Sequence, residues 1–310
     1  MPRKFRFGLQ SSRAASGEEW AAKARKIEEL GFSTLFIPDH FTDQLAPLPA
    51  LMAAADATKT LRLGTLVLDN DYRHPLVLAK ELATLDVLSG GRLEIGLGAG
   101  WMVSDYQQSG IPYDAPGVRI GRLEEALKIM KGFFAEGGFS FTGRYYTITG
   151  HEGTPKPAQK PHPPFLVGGG GRRVLSLAAR EADIVAVNFS LAEGMVNPAV
   201  AATGSAAATA EKMGWIRKAA GARFDDLEMQ VTVFASVVTD DRQGTAERVA
   251  PGFGLAPEEV LESPHVLVGT VDQMVEELQR RREEYGFSYV AFSGDVFEMM
   301  APVVSRLAGT

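Results

Sequence analysis

Short apolar runs alternate with amphipathic helical patterns from one end of the chain to the other, the pattern of a parallel sheet built from βα units. The runs that read as strands are Phe5–Leu9, Thr34–Ile37, Leu61–Leu68, Leu93–Leu97, Phe165–Val167, Ile184–Asn188, Met229–Val238 and Tyr289–Phe292. Between them the apolar spacing predicts helices near Glu18–Leu30, Leu48–Thr58, Leu76–Leu88, Ile120–Phe134, Val174–Ala182, Ala206–Ala219, Val271–Tyr285 and Val296–Leu307. Gly31 after the first helix and the Gly90-Gly91 pair after the third supply the expected stops. Eight strands, each followed by a helix, make a (β/α)8 TIM barrel more economical than an open doubly wound sheet.

Three segments do not fit a bare barrel: 139–164, 189–205 and 239–264. The first reads as a hairpin over Phe139–Thr149 followed by a proline-rich return, Thr154–Pro164. The expected architecture is one barrel domain over residues 1–310, with these insertions in the loops at the C-terminal ends of the strands, where barrels build their active sites. The 310-residue length suits that reading.

Composition narrows the chemistry. With no cysteine there is no disulfide, thiolate nucleophile or cysteine metal site, which fits a reducing cytoplasm. Met1-Pro2-Arg3-Lys4 runs straight into Phe5-Arg6-Phe7-Gly8-Leu9 without the long apolar core of a secretory leader, and no stretch is long enough to span a membrane. A formal net charge of -6 speaks against nucleic acid as a partner. Five histidines without an i,i+4 pair and no dense carboxylate cluster predict no metal site. The absence of a G-x-S-x-G turn removes the usual serine nucleophile. Hydride transfer on a bound organic cofactor, with a small organic molecule as partner, is the chemistry that remains.

The run Gly168-Gly169-Gly170-Gly171-Arg172-Arg173 stands between a strand and a helix, where backbone N–H groups and the helix dipole favour an anion. A flexible βα turn would explain a single glycine, but four glycines followed by two arginines at a helix start favour the anion reading. After the second strand come Asp39 and His40, and His40 is the best acid–base candidate in the chain. After the third, Arg73 and His74 precede the helix-opening Pro75, either facing an anion or simply forming a turn. After the fourth, Gly96-Leu97-Gly98-Ala99-Gly100-Trp101 lets backbone approach a ligand at Ala99 and Gly100. Trp101 breaks the dinucleotide fingerprint there.

Taken together, Asp39-His40, Leu63-Gly64-Thr65-Leu66-Val67-Leu68, Tyr72-Arg73-His74-Pro75, Ser89-Gly90-Gly91-Arg92-Leu93, Gly98-Ala99-Gly100-Trp101 and Gly168–Gly171 resemble the luciferase-like monooxygenase family. The likeness is strong over residues 5–190 and extends to the last third by layout. The Asp-His pair makes the chain most similar to the branch that uses coenzyme F420, a deazaflavin. FMN with oxygen chemistry, or a flavin-binding barrel without turnover, are the alternatives. The resemblance implies a homodimeric barrel with the cofactor at the C-terminal ends of the strands. It implies that Asp39 contacts the deazaflavin head and that His40 handles a proton beside the hydride centre. It also implies a non-prolyl cis peptide at Leu66-Val67 under the ring, and phosphate contacts at Ala99, Gly100, Gly170 and Gly171 helped by Arg172 and Arg173, with Gly169, Arg73 and His74 among the other cofactor-binding residues. Sugar-phosphate dehydrogenases of this branch place a tryptophan and a glutamate where this chain has Gln44 and Trp101, which argues against glucose-6-phosphate. Gln44, Trp101, Tyr106 and Phe189 are the substrate-pocket candidates, and the aromatics among them, with Tyr145 and Tyr146 of the hairpin, suggest an apolar substrate, although core or dimer packing explains them as well.

Overall fold

The computed structural model describes residues 3–310. In chain order it runs β1 (Arg6–Gln10), α1 (Gly17–Glu29), β2 (Thr34–Ile37), α2 (Pro47–Ala57), β3 (Arg62–Thr65), β4 (Leu68–Asp69), α3 (Pro75–Leu88), β5 (Leu93–Gly98), α4 (Val103–Ser109), α5 (Pro116–Phe134), β6 (Phe139–Thr142), β7 (Thr147–His151), β8 (Phe165–Gly169), α6 (Arg172–Glu181), β9 (Ile184–Val187), α7 (Pro198–Ala202), α8 (Ala206–Ala220), β10 (Glu228–Val233), β11 (Ala235–Val238), α9 (Arg242–Phe253), α10 (Pro257–Glu262), β12 (Val266–Gly269), α11 (Val271–Tyr285), β13 (Phe287–Ser293) and α12 (Phe297–Leu307).

Eight of these strands form one parallel ring in the order β3, β2, β1, β13, β10, β9, β8, β5, and β3 pairs with β5 to close it. The chain is a (β/α)8 barrel. Strands covered by helices outside and side chains inside are buried on both faces, which is why β2 and β9, buried at every position, read as largely apolar runs, while β5, equally buried, carries Glu94. Inside the ring, Phe36, Leu166, Ile184 and Tyr289 pack together. Gly8 and Gly64 make room for the Phe36 ring, since a Cβ at either would come within 2.5 Å or 2.3 Å of it. At the N-terminal end of the barrel Glu94 is buried among Arg6, Arg62 and Tyr289, and Arg6 also forks onto Glu228 at 2.7 and 2.6 Å. Burial alone would raise the Glu94 carboxyl, but the two guanidiniums outweigh it and hold it below the usual carboxylate range. That network closes one end of the barrel. The opposite end, where the strands finish, is open.

The sequence pattern and the structure differ in places that matter for the site. The strand predicted over Leu61–Leu68 is broken: β3 ends at Thr65, the Leu66–Val67 peptide is cis, and pairing resumes in β4. The strand predicted over Met229–Val238 divides at Phe234. β10 stays in the barrel, while β11 leaves it to pair in parallel with β12, which the pattern does not predict. Segment 139–164 holds the antiparallel pair β6 and β7, segment 189–205 holds α7, and segment 239–264 holds α9 and α10. α7 and α10, 5 and 6 residues long, carry too little periodicity to be read from sequence, and α9, 12 residues long, contains Pro251, which the pattern reads as a break. α4 escapes prediction for the same reason, being only 7 residues long.

Candidate functional site

A cavity of about 790 Å³ opens at the C-terminal ends of the strands. Its walls are Gln10 from β1, Pro38–His40 after β2, Leu66–Asp69 around the break between β3 and β4, and Gly98–Met102 at the end of β5. Pro116, Arg119 and Ile120 of α5 follow, then Gly168–Val174, Ala186–Ala192, Gln230, Thr232, Phe234 and the end of α9. Most of this surface is apolar, with a few polar groups converging on it, the usual make-up of a small-molecule site.

His40 stands in the loop after β2, and its Nδ1 lies 2.7 Å from Oδ2 of Asp105, a buried residue of α4. Tyr72 donates its hydroxyl to the same oxygen at 3.2 Å, and the Phe41 N–H reaches Oδ1 at 3.4 Å. An ionised Asp105 accepts from Nδ1–H, so Nε2 is the nitrogen left to exchange a proton; the tautomer is assigned from this hydrogen-bond pattern. The Trp101 indole meets the imidazole edge-on, with ring centroids 5.4 Å apart. Orientation by a carboxylate on one side and an aromatic on the other is how a general acid–base histidine is held.

Asp39, one residue earlier, receives the Arg73 guanidinium at 2.6 and 3.3 Å and the Asp69 N–H at 3.2 Å. Asp69 also borders the cavity. Burial pushes its carboxyl up, and the neighbouring charge of Asp71 adds to that; hydrogen bonds from the Asp71 N–H and the Tyr106 hydroxyl oppose it, and the outcome is a value of about 7. Burial and the Asp69 and Asp71 carboxylates in turn raise the Tyr106 phenol well above its ordinary value.

At the glycine run, α6 begins with Gly171 as its cap, which has no side chain to satisfy the first N–H groups. A Cβ at Gly171 would meet open space, whereas one at Gly170 would stand 1.8 Å from the Phe189 carbonyl oxygen. Gly170 is therefore required by packing, and Gly171 is the position whose open side faces the cavity. Arg172 and Arg173 are exposed beside it, and a Cβ on Gly117, in the first turn of α5, would come within 2.9 Å of Arg173 Nη1. Arg119, one turn into α5, is 3% exposed and borders the cavity, yet its Nε and Nη1 have no partner among the described residues. Its guanidinium stacks 4.0 Å from the Tyr113 ring centroid. A buried, unpartnered guanidinium in a cavity wall is a group waiting for an anion.

Of the residues singled out in the sequence, the structure brings Asp39, His40, Leu66, Val67, Ala99, Gly100, Trp101, Gly169, Gly170, Gly171, Arg172, Arg173 and Phe189 to this one cavity. Others stand apart from it. Arg73 is turned to Asp39, which it anchors. His74 caps α3 through Nδ1 and meets Tyr146 edge-on. Gln44 donates to the Pro38 carbonyl at 2.7 Å and borders a separate polar cleft. Tyr106 is buried, its hydroxyl on Asp69 and Asp71. Tyr145 packs over Gly121 on the outer side of α5. Among the cavity or near-cavity residues not singled out are Asp69, Asp105, Arg119 and Gln230. The signal for Arg119 is present, an arginine in the first turn of a helix opened by Pro116-Gly117, the same arrangement as Arg172 after Gly171. Asp105 and Gln230 carry no local signal, because only the fold brings them to the site.

The profile of the luciferase-like monooxygenase family matches residues 4–289, and the chain belongs to that family. An FMNH(2)-dependent dimethylsulfone monooxygenase of Pseudomonas putida is 30% identical over 180 residues, covering 58% of this chain and 47% of that protein. An F420-dependent glucose-6-phosphate dehydrogenase of Amycolatopsis mediterranei is 29% identical over 185 residues, 54% of each. The chain spans about half the length of these curated relatives. In fold it is similar over 99% of both chains to the coenzyme F420-dependent tetrahydromethanopterin reductase of Methanopyrus kandleri, with a TM-score of 0.78 at 20% identity.

Proposed function

We propose that this protein is an F420-dependent oxidoreductase that moves hydride between the deazaflavin and a small organic substrate. The observation that carries the reading is His40, oriented by buried Asp105 and facing the cavity beside Asp39. The donor set fits a cofactor with a phosphorylated tail: the uncapped start of α6 at Gly171 and the unpartnered Arg119 guanidinium both seek an anion. Bound, a deazaflavin supplies hydride transfer at a ring carbon, where a flavin also activates oxygen. The chain's own part is to hold the tail with Gly171, Arg172, Arg173 and Arg119, and to seat the ring against Leu66 and Val67. Asp39 meets the ring's polar edge, and His40 moves a proton at Nε2. Trp101 and Phe189 give the substrate an apolar wall.

The same cavity suits FMN, and the likeness to the dimethylsulfone monooxygenase supports an oxygen-using alternative. We also read the protein as a cytoplasmic homodimer. α3 leaves Val77, Val87 and Leu88 exposed on the outside of the barrel, which suits a second copy. Among the described residues no helix is long and apolar enough to cross a membrane.

His40→Ala tests the proposal. F420 affinity stays within about twofold, while reoxidation of reduced F420 by a panel of ketones and activated alkenes falls at least about a hundredfold, the usual worth of a general acid–base group. Equal loss of binding and turnover would overturn the assigned role.

A further inference from the structure

We infer that Gln230 selects the cofactor, by accepting a hydrogen bond from the hydroxyl that F420 carries on the benzenoid end of its deazaflavin, where FMN has only methyl groups. The inference rests on the F420 reading above. Gln230 lies on β10, fully buried, and borders the cavity. Its Nε2 donates to Thr232 Oγ1 at 3.3 Å, while its Oε1 has no partner among the described residues. A buried amide oxygen without a donor is costly, so its position in a cavity wall points to a donor on the ligand.

The barrel fixes which end of a ring that donor occupies. Going round the strands, β2 and β10 are separated by β1 and β13 one way and by β3, β5, β8 and β9 the other. Asp39, just beyond β2, and Gln230 therefore stand across the mouth from one another. Between them the seat is flat and small. A Cβ on Gly168 would lie 3.3 Å from Val67 Cγ1 and 3.8 Å from the Ala186 Cβ, and Ala186 is in register with Gln230. The imide edge of a flavin or deazaflavin presents donors and acceptors together and matches the Asp39 end, with its carboxylate, the Arg73 guanidinium behind it and the Asp69 carboxyl. The benzenoid end then faces Gln230. A hydroxyl there satisfies Oε1, whereas methyl groups leave it buried and unpaired, the condition under which a site rejects the analogue lacking the donor.

The test is a pair of titrations, with F420 and with FMN, on the wild-type protein and on Gln230→Leu and Gln230→Met, followed by fluorescence. Methionine keeps the length of the side chain and secures the measurement should leucine disturb folding. In both variants the Kd for F420 rises about tenfold and that for FMN changes less than about twofold. A second readout is the absorbance of bound F420 against pH. Oε1 accepts only from the protonated hydroxyl, so deprotonation occurs at higher pH in the wild-type complex than in the variant complexes. Equal weakening of both cofactors, or no change in either, would overturn the role of Gln230 and leave the cofactor reading standing. Failure of the wild-type protein to bind F420 would overturn both.

Discussion

Replacing Arg119 by methionine separates a binding role from a packing role. The guanidinium is 3% exposed, its Nε and Nη1 have no partner among the described residues, and it borders the cavity from the first turns of α5. A hydrogen bond to a charged group contributes about 1.5–3 kcal/mol, so losing one such contact to the cofactor's phosphate weakens binding between about tenfold and a hundredfold. The stability of the cofactor-free protein moves the other way. Methionine fills much of the same volume beside Tyr113 without burying an unpaired charge, so the melting temperature stays level or rises. Titration of the purified variant with F420, set beside its thermal melt, reads both quantities. Because salt screens the attraction between a guanidinium and a phosphate, the variant's affinity also depends less on salt. An unchanged F420 affinity would refute the reasoning. So would a melting temperature several degrees lower, since that would mark Arg119 as a packing residue stacked on Tyr113.

Two further substitutions follow from the geometry of the cavity. Gly171→Val lowers cofactor affinity and leaves the melt unchanged, because its Cβ enters open space at the mouth; Gly170→Val lowers the melt itself, because its Cβ would stand 1.8 Å from the Phe189 carbonyl. The same response from both variants, measured by melt and titration, would show that the cradle is misplaced. Asp69 titrates near 7 in the folded protein, above its ordinary 3.8, so between about pH 4 and pH 7 the folded state keeps a proton that the unfolded chain has lost. Its contribution to stability is therefore lost as pH rises through that window, by up to about 1.4 kcal/mol per pH unit. Asp69→Asn removes that slope, and urea unfolding at pH 5 and pH 7.5 checks it; identical slopes in both proteins would contradict the cause assigned.

The barrel is legible in the sequence because strands buried on both faces, such as Thr34–Ile37 and Ile184–Val187, leave short apolar runs at regular intervals between helical patterns. What the pattern misses lies where the fold departs from repetition. The apolar run from Leu61 to Leu68 hides the break at Leu66–Val67, because a change of backbone direction leaves residue types unaltered. The run Met229–Val238 hides the departure at Phe234, which depends on β11 finding β12 some thirty residues later. The same limit governs the site. His40 and the glycine run advertise themselves by residue type at a strand end. Asp105 does not, because one aspartate on a 7-residue helix gains meaning only when tertiary structure sets it 2.7 Å from the imidazole. Arg73 reads from sequence as either an anion ligand or a turn residue, and its pairing with Asp39 becomes visible only in the third dimension.

The central claim, a deazaflavin cofactor in this cavity, is tested most directly by titrating the cofactor-free protein with F420 and, separately, with FMN while following fluorescence. Micromolar or tighter binding of F420, with much weaker binding of FMN, is the predicted result. A clear preference for FMN would contradict it and establish the oxygen-using alternative.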